Sequence, residues 1–375
     1  MTMIYDTVII GAGPAGAYAG CLLARAGLKV ALVDRKDFPR DKLCGGLLTC
    51  KTINLLQLVL SANQFLKFDI TVSHVFFQRQ SAASFQLLSP AYTVRRLQFD
   101  ALLVETAREQ GVHTYLGASL QSVDFNQKEV CLSNEHKLKY STLIGADGAL
   151  SRVRYLAGLQ KNDMGFCVET HIPWDHLRDS ERLRAGGIEI YFGDYPNGYG
   201  WAFPNKDSVT VGVGNLAQGM MEKEILTQYR RFLADIATSE NIKATGAYLP
   251  SGTSVVLGTP LHEDLCLIGD AAGLIDPFTG EGIYYAFLSA KVVANSIVSG
   301  RPICQEYERQ MEQVVKSIRD TVHIRNRIYS AAVLKHSLDF MHSAIQYSEK
   351  LIDETIVRYT KSYVDAFEEI KYYSR

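Results

Sequence analysis

Between Thr7 and Gly16 the chain reads Thr7-Val-Ile-Ile-Gly11-Ala-Gly13-Pro-Ala-Gly16, a β-branched apolar run followed at once by glycines spaced G-x-G-x-x-G. An Ala- and Leu-rich stretch to about Ala26 has helical character, and Lys29 to Val33 is a second apolar run that ends on Asp34. Strand, glycine turn, helix and strand in that order predict a βαβ unit. Each glycine then has a mechanical reason: Gly11 permits the tight turn, Gly13 lets backbone approach a pyrophosphate, and Gly16 allows close helix-to-strand packing. The free N–H groups at the helix start, with Pro14 and Ala15 in its first turn, favour an anion. Asp34, 18 positions beyond Gly16, is placed to accept hydrogen bonds from a ribose diol. A glycine turn alone also arises for packing reasons. Strand, helix and terminal acid together point to a dinucleotide, without separating FAD from NAD.

Bulk properties exclude several other classes. With 375 residues, 47% of them hydrophobic, the chain can build one large or two modest cores without staples. Lys and Arg total 39 against 40 Asp and Glu, a net charge of -1, which removes the electrostatic argument for a nucleic-acid partner. The 7 cysteines lack C-x-x-C pairs and His-rich spacing, so neither a disulfide framework nor a metal site is expected, and a reducing compartment is. The segment Met1 to Gly16 is short, interrupted by Asp6 and continuous with the glycine motif, unlike a signal peptide. No run reaches the roughly 18 to 20 apolar residues of a membrane span. A soluble cytoplasmic protein is the expectation, with any membrane contact peripheral.

Further along, Val72 to Phe77 alternates as sheet, Phe99 to Gln110 reads as a helix, and Leu143 to Ile144 as a short buried strand. From about Cys167 to Val256 the pattern changes to alternating segments such as Gly187 to Phe192 and Val209 to Val213, punctuated by turn residues, which predicts an antiparallel sheet. Leu265 to Ile268 returns to the buried-strand type before a glycine-rich turn and a helix over Ile283 to Val298. The expected fold is α/β: a Rossmann-type domain with a parallel sheet, an antiparallel β-sheet substrate domain and C-terminal helices. Residues 1–70, 93–165 and 257–300 are assigned to the first, 71–92 and 166–256 to the second, and 301–375 to a helical region.

Four further segments carry a resemblance. The stretch Asp34-Arg35-Lys-Asp-Phe-Pro39-Arg40-Asp-Lys42-Leu-Cys44-Gly45-Gly46 resembles the P-x-x-K-x-C-G-G motif of the geranylgeranyl reductase family, FAD-dependent oxidoreductases with a p-hydroxybenzoate-hydroxylase-like fold. Arg96-Leu-Gln-Phe99-Asp100-Ala-Leu-Leu103 is similar to that family's R-x-x-F-D-x-x-L helix start. Gly145-Ala-Asp147-Gly148-Ala-Leu-Ser151-Arg-Val-Arg154 matches the D-G-x-x-S-x-x-R pattern of flavin enzymes. Gly269-Asp270 through Asp276-Pro277-Phe-Thr-Gly280-Glu281-Gly282-Ile283 resembles the G-D motif with its P-x-x-G-E-G extension. The resemblance implies FAD as cofactor. It implies that Arg35, Cys44, Gly45, Arg96, Asp147 and Gly148 join Gly11, Gly13, Pro14, Ala15, Gly16 and Asp34 in holding it. It also implies that Asp270 bonds the ribityl chain, and that Gly280, Gly282 and Ile283 open a helix towards the flavin's pyrimidine edge. A helix N-terminus stabilises the negative charge that a reduced flavin carries there.

This fold hosts several reactions, so the cofactor alone does not name one. Gly198-Tyr199-Gly-Trp201-Ala-Phe203-Pro204, followed by Gly212-Val-Gly214, resembles the family's Y-x-W-x-F-P and G-x-G signature. Alternation puts Tyr199, Trp201 and Phe203 on one strand face as an apolar wall, and the resemblance makes that wall the binding surface for a polyprenyl chain. The implied reaction saturates C=C bonds of a geranylgeranyl-type chain by hydride transfer from reduced flavin, on an isoprenoid lipid or prenylated small molecule. Cys44 and Tyr199 are the candidates to supply or position the proton, and for Cys44 the competing reading is a small buried hydrophobe. The alternative is an FAD-dependent monooxygenase or a halogenase of an aromatic substrate. Halogenases carry two tryptophans in the related motif, whereas this chain has Tyr199 and Phe203-Pro204. No second glycine unit for a nicotinamide is visible, so NAD(P)H binding transiently or a ferredoxin is the expected electron donor.

Overall fold

The computed structural model describes residues 3–195, 198–216, 222–239, 242–259 and 261–328. Its first strand, β1 (Met3–Ile10), runs through the glycine turn into α1 (Pro14–Arg25) and on to β2 (Val30–Val33), which pairs parallel to β1. A two-residue β3 (Leu47–Leu48), α2 (Cys50–Leu56), the long hairpin β4 (Phe68–Phe77) and β5 (Gln80–Thr93), and α3 (Arg96–Glu109) come next. The chain then returns to the first sheet with β6 (His113–Tyr115), β7 (Leu120–Asp124), β8 (Glu129–Leu132) and β9 (Lys137–Gly145). After α4 (Arg152–Leu156) it enters a second sheet through β10 (Met164–Pro173), α5 (Glu181–Arg184), β11 (Gly187–Phe192), β12 (Gly198–Pro204), β13 (Ser208–Asn215), α6 (Glu222–Ile236) and β14 (Thr245–Pro250). It closes on β15 (Gly258–Thr259), β16 (His262–Leu267), α7 (Ile283–Val298) and α8 (Ile303–Ile328).

Sheet one has the order β15-β16-β9-β1-β2-β6, with β7 and β8 attached beside β9. Pairings from β16 through β9, β1 and β2 to β6 are all parallel, and the strands Val30–Val33 and Leu265–Leu267 are wholly buried, as parallel strands require. The expected α/β class is what the chain adopts. Sheet two has the order β14-β10-β13-β12-β11-β4-β5-β3 and is antiparallel at every pair but one. That exception corrects the uniformly antiparallel expectation: β11 pairs parallel to β4, from Gly187 opposite Val72 to Phe192 opposite Phe77. The physical reason is that β4 enters from a different part of the chain, so no hairpin fixes its direction.

Two helices, α5 and α6, interrupt the region read as sheet. In α6 the apolar residues Ile225, Tyr229, Phe232, Leu233 and Ile236 fall at helical spacing and pack against Val168, Ile172, Ala202 and Val211 on one face of sheet two. The opposite face carries Cys167, Ile188, Trp201 and Phe203. Beyond Arg301 the expected helix is present as α8, which rests on α7 and β16, and the remainder of that expected region lies outside the described residues. No helix among the described residues is long and apolar enough to cross a membrane.

Candidate functional site

The glycine turn is built for a close backbone approach. Gly11 has a φ of 106°, open to glycine but strained for other residues, and a Cβ on it would run into the backbone of Ala146. At Gly16 a Cβ would fall on the Gly11 carbonyl oxygen, so α1 sits against the turn only because that atom is missing. Gly13 differs: it precedes Pro14 at the head of α1, and the nearest atom to a Cβ there is Arg40 Nη2, at 3.6 Å. The space beside Gly13 is therefore a cradle lined by backbone and one guanidinium, the chemistry a pyrophosphate needs. Asp34 leaves β2 half-buried and accepts from Ala12 N–H at 2.8 Å and Lys36 N–H at 2.9 Å, which aims its carboxylate across the turn. Arg35 beside it is exposed.

Arg96 and Asp100, one turn apart on α3, form a buried two-pronged pair with Nε to Oδ1 at 2.6 Å and Nη2 to Oδ2 at 2.7 Å. Burial opposes the Arg96 charge, but Asp100 outweighs it and the guanidinium is held more firmly protonated than usual. The same arginine feels the Cys44 thiol. Arg40 reaches Asp100 from the other side at 3.4 Å, so α3 is tied to the loop that leads to Cys44. In that loop the Gly46 N–H approaches Cys44 Sγ at 3.4 Å, and the Cys44 N–H donates to Glu169 Oε1 at 2.7 Å. Gly45 lies under the rings of sheet two: a Cβ there would be 2.7 Å from Phe203 Cδ2 and 3.5 Å from Trp201 Nε1.

The ring wall has the expected face. Tyr199 and Trp201 meet edge to face with centroids 5.8 Å apart, and Phe192 adds a third ring 5.7 Å from Tyr199. Gly212 and Gly214 explain their own place in the sequence. They stand opposite Trp201 and Tyr199 on β13, and Gly212 has the indole lying across it where a side chain would be. The Tyr199 hydroxyl donates to the Thr279 carbonyl, and burial, with the negative groups Asp276 and Glu281 nearby, raises its pKa well above that of an ordinary phenol.

That tyrosine contact leads to the turn before α7. Asp276 organises it by accepting from Phe278 N–H at 2.9 Å and from Thr279 N–H at 2.7 Å. Gly280 has a φ of 72°, and a Cβ on it would sit 3.6 Å from the Tyr199 hydroxyl. Gly282 caps α7 without a side-chain partner and leaves the first N–H groups of the helix, from Ile283 on, free for a ligand. A Cβ on Gly282 would stand 3.4 Å from Asp270 Oδ1. Among the described residues no side chain hydrogen-bonds the Asp270 carboxylate; burial raises its pKa, and Lys42 and Arg96 pull it back down. Glu281 is held away from this opening by Lys51 at 2.6 Å and Thr49 at 2.6 Å.

Cys44, Gly45, Arg96, Tyr199, Trp201, Phe203, Asp270, Gly280 and Gly282 thus fall into one linked neighbourhood between the two sheets, continuous through Arg40 with Gly13. Asp147 lies to one side. Its carboxylate accepts from Ser151 Oγ at 2.5 Å, Arg152 N–H at 2.6 Å and Val153 N–H at 3.1 Å, which caps α4. Gly148 beside it has a φ of 82° and open space where a Cβ would point. Arg154, buried, donates to the carbonyls of Ala271 at 3.1 Å and Ser254 at 2.7 Å, so this motif braces the turn that carries Asp270. Sequence reasoning missed Glu169 and Lys42. Lys42 stood inside a quoted motif, and Glu169 shares a strand face with Cys167, a carboxylate where the pattern called for an apolar residue.

A cradle open to phosphate, an unpartnered carboxylate beside a bare helix N-terminus, and an apolar ring wall fit FAD in each of its parts. The comparisons agree. Residues 4–175 match the family described as FAD binding domain. A menaquinone reductase of Mycolicibacterium smegmatis is 30% identical over 79% of this chain and 76% of its own. Geranylgeranyl diphosphate reductase of Rhodobacter capsulatus is 29% identical over 80% of this chain and 78% of its own. A crystal structure described as a geranylgeranyl bacteriochlorophyll reductase-like protein from Thermoplasma acidophilum superposes with a TM-score of 0.82 at 19% identity, covering 99% of each chain. The protein is an FAD-dependent oxidoreductase. Within that class, the chain belongs to the geranylgeranyl reductase family.

Proposed function

We propose that this enzyme saturates C=C bonds of a geranylgeranyl-type chain carried on an isoprenoid lipid or prenylated small molecule. The observation that carries this reading is the ring wall: Gly45 lies against Phe203 and Trp201, and the Tyr199 hydroxyl reaches the Thr279 carbonyl beside Gly280, so the rings and the two turns form one neighbourhood. Bound reduced FAD supplies the hydride. Tyr199, Trp201 and Phe203 exclude water and offer aromatic faces to positive charge developing on an alkene carbon. Gly11 to Gly16 and Asp34 hold the dinucleotide half, Asp270 the ribityl chain, and the N–H groups from Gly282 and Ile283 the pyrimidine edge. Asp147 and Gly148 contribute by bracing this frame. Tyr199 keeps its proton on the Thr279 carbonyl, so its part is the wall, and Cys44 is the residue assigned to the proton.

Residues 1–70, 93–165 and 257–300 are assigned to the FAD unit, apart from Leu47–Leu48, Phe68–Ile70, Thr93 and Met164–Gly165, which pair within sheet two; 71–92 and 166–256 are assigned to the substrate unit, and the region from 301 on, helical over α8, to transient membrane contact. NAD(P)H or a ferredoxin is the assigned electron donor. The test is to reduce the purified yellow protein without oxygen, mix it with geranylgeranyl diphosphate or a geranylgeranyl lipid, and follow flavin colour and product mass. Flavin reoxidation with a prenyl product heavier by one hydrogen pair per reduced bond is expected. Product that forms only when oxygen is admitted would overturn the reading in favour of a hydroxylase.

A further inference from the structure

Glu169 sits in the middle of β10, on the face shared with Cys167 and the ring wall, and is only 3% exposed. One carboxylate oxygen, Oε1, accepts the Cys44 N–H across 125 residues of chain. The other, Oε2, is buried and has no hydrogen-bond partner among the described residues. A second buried polar atom without a partner, Trp201 Nε1, lies in the same place: Glu169 and Trp201 are neighbours over Gly212, where a Cβ would be 2.8 Å from Glu169 Cβ and would strike the indole. An acid with one oxygen satisfied and one bare is costly to ionise in such surroundings. Lone buried carboxylates of this kind gather at working sites.

We propose that Glu169 is the positioning residue of the Cys44–Gly45–Gly46 turn, and that its gain or loss of a proton changes how that turn meets the bound flavin. Protonated, Glu169 holds the Cys44 N–H through a neutral carbonyl and adds no charge beside the turn. Ionised, it grips the N–H harder and places a negative charge beside Lys42, Arg96 and the turn. The groups that face it are Lys42 and Cys44 on the loop, Arg95 and Arg96 at the start of α3, Cys167 on its own strand, and Tyr229 from α6 behind the sheet. Burial raises its pKa to about 7; the Cys44 N–H, Lys42, Arg96 and Arg95 lower it but do not cancel the burial. His171, two positions on along the same face, has its pKa lowered by burial and by Arg95.

The inference needs the FAD site and not the prenyl substrate, so it is tested without turnover. The visible absorption and FAD fluorescence of the oxidised holoprotein are followed from mildly acid to mildly alkaline pH for the wild type, Glu169→Gln and Lys42→Met. Gln keeps an acceptor for the Cys44 N–H but cannot ionise. A reversible spectral transition with its midpoint near pH 7 is expected in the wild type, and a flat, low-pH-like spectrum in E169Q. K42M, which removes a neighbouring cation, should move the midpoint upward, and it serves if E169Q fails to fold. A wild type without the transition, an E169Q that retains it, or a K42M midpoint that stays put would overturn the proposal. Failure of prenyl reduction in the earlier experiment would leave all three results standing.

Discussion

Two parts of the molecule meet at the Cys44–Gly46 and Gly280–Gly282 turns, and they are made in opposite ways. The parallel sheet offers backbone: at Gly11 and Gly16, close together in sequence, and at the distant Gly280, what matters is an absent side chain or a positive φ. The antiparallel sheet offers side chains: Tyr199, Trp201, Phe203, Cys167 and Glu169 come from two strands and matter for what they present. A cofactor with fixed phosphates and sugars suits a rigid backbone cradle, whereas a long apolar chain suits a wall of rings. Substitutions on the first side should therefore remove the cofactor or the fold, and those on the second should leave the flavin bound and disturb what lies over it.

The hardest test of that contrast is Gly11→Ala beside Gly13→Ala. Alanine at Gly11 takes on a φ of 106° and collides with backbone that cannot move aside. About 3 kcal/mol or more of stability should be lost, combining strain with overpacking. Alanine at Gly13 meets only the flexible end of Arg40, 3.6 Å away. Folding should change by under about 0.5 kcal/mol, while FAD affinity falls about tenfold or more. Thermal unfolding of the apoprotein and flavin fluorescence titration read the two effects separately. If G13A unfolds as readily as G11A, the turn is a packing device and the cradle argument fails.

The two sides were not equally readable. The cradle was legible because its needs are local, and glycine spacing next to strand and helix patterns is hard to produce otherwise. The turn over Asp270 to Ile283 was picked out by the resemblance alone, and the shared face of Tyr199, Trp201 and Phe203 by alternation along one strand. The parallel pairing of β11 with β4 was not, because direction is set by where distant segments enter the sheet. Glu169 was not, since a lone acid in a strand looks solvent-facing until its partner Cys44, 125 residues away, is known. Thr49 and Glu281 likewise meet across 232 residues, with Lys51 paired to the same carboxylate. The amphipathic spacing of α6 was a readable signal that the sheet pattern around it obscured.

A smaller effect separates a buried acid from ordinary packing. In the unfolded chain Glu169 ionises near 4.5, but in the folded protein not until about 7. Between those values the unfolded state gives up a proton that the folded state keeps, so rising pH weakens folding, and above 7 the penalty is constant. At most it amounts to about 3 kcal/mol. Glutamine does not titrate. The melting temperature of E169Q relative to wild type should therefore climb between pH 4.5 and 7 and level off above. A difference independent of pH would mean that Glu169 is merely packed, and the side-chain half of the comparison would lose its titratable member.

Smallest, and most diagnostic of the ring wall, is the pair Gly212→Ala and Gly214→Ala. At Gly212 a methyl group would strike the indole of Trp201 and press on Glu169 Cβ at 2.8 Å, so the ring must turn away from its strand. At Gly214 the nearest atoms are Cys167 Cβ at 3.2 Å and Trp201 Cζ3 at 3.3 Å, a contact that small shifts absorb. The first should cost about 2 kcal/mol and the second under about 1 kcal/mol. Neither touches the cradle, so both proteins should purify yellow, and prenyl turnover should fall in the order wild type, G214A, G212A. Loss of FAD from G212A would show that the indole supports the cofactor as much as the substrate, and the line drawn here between a backbone side and a side-chain side would have to move.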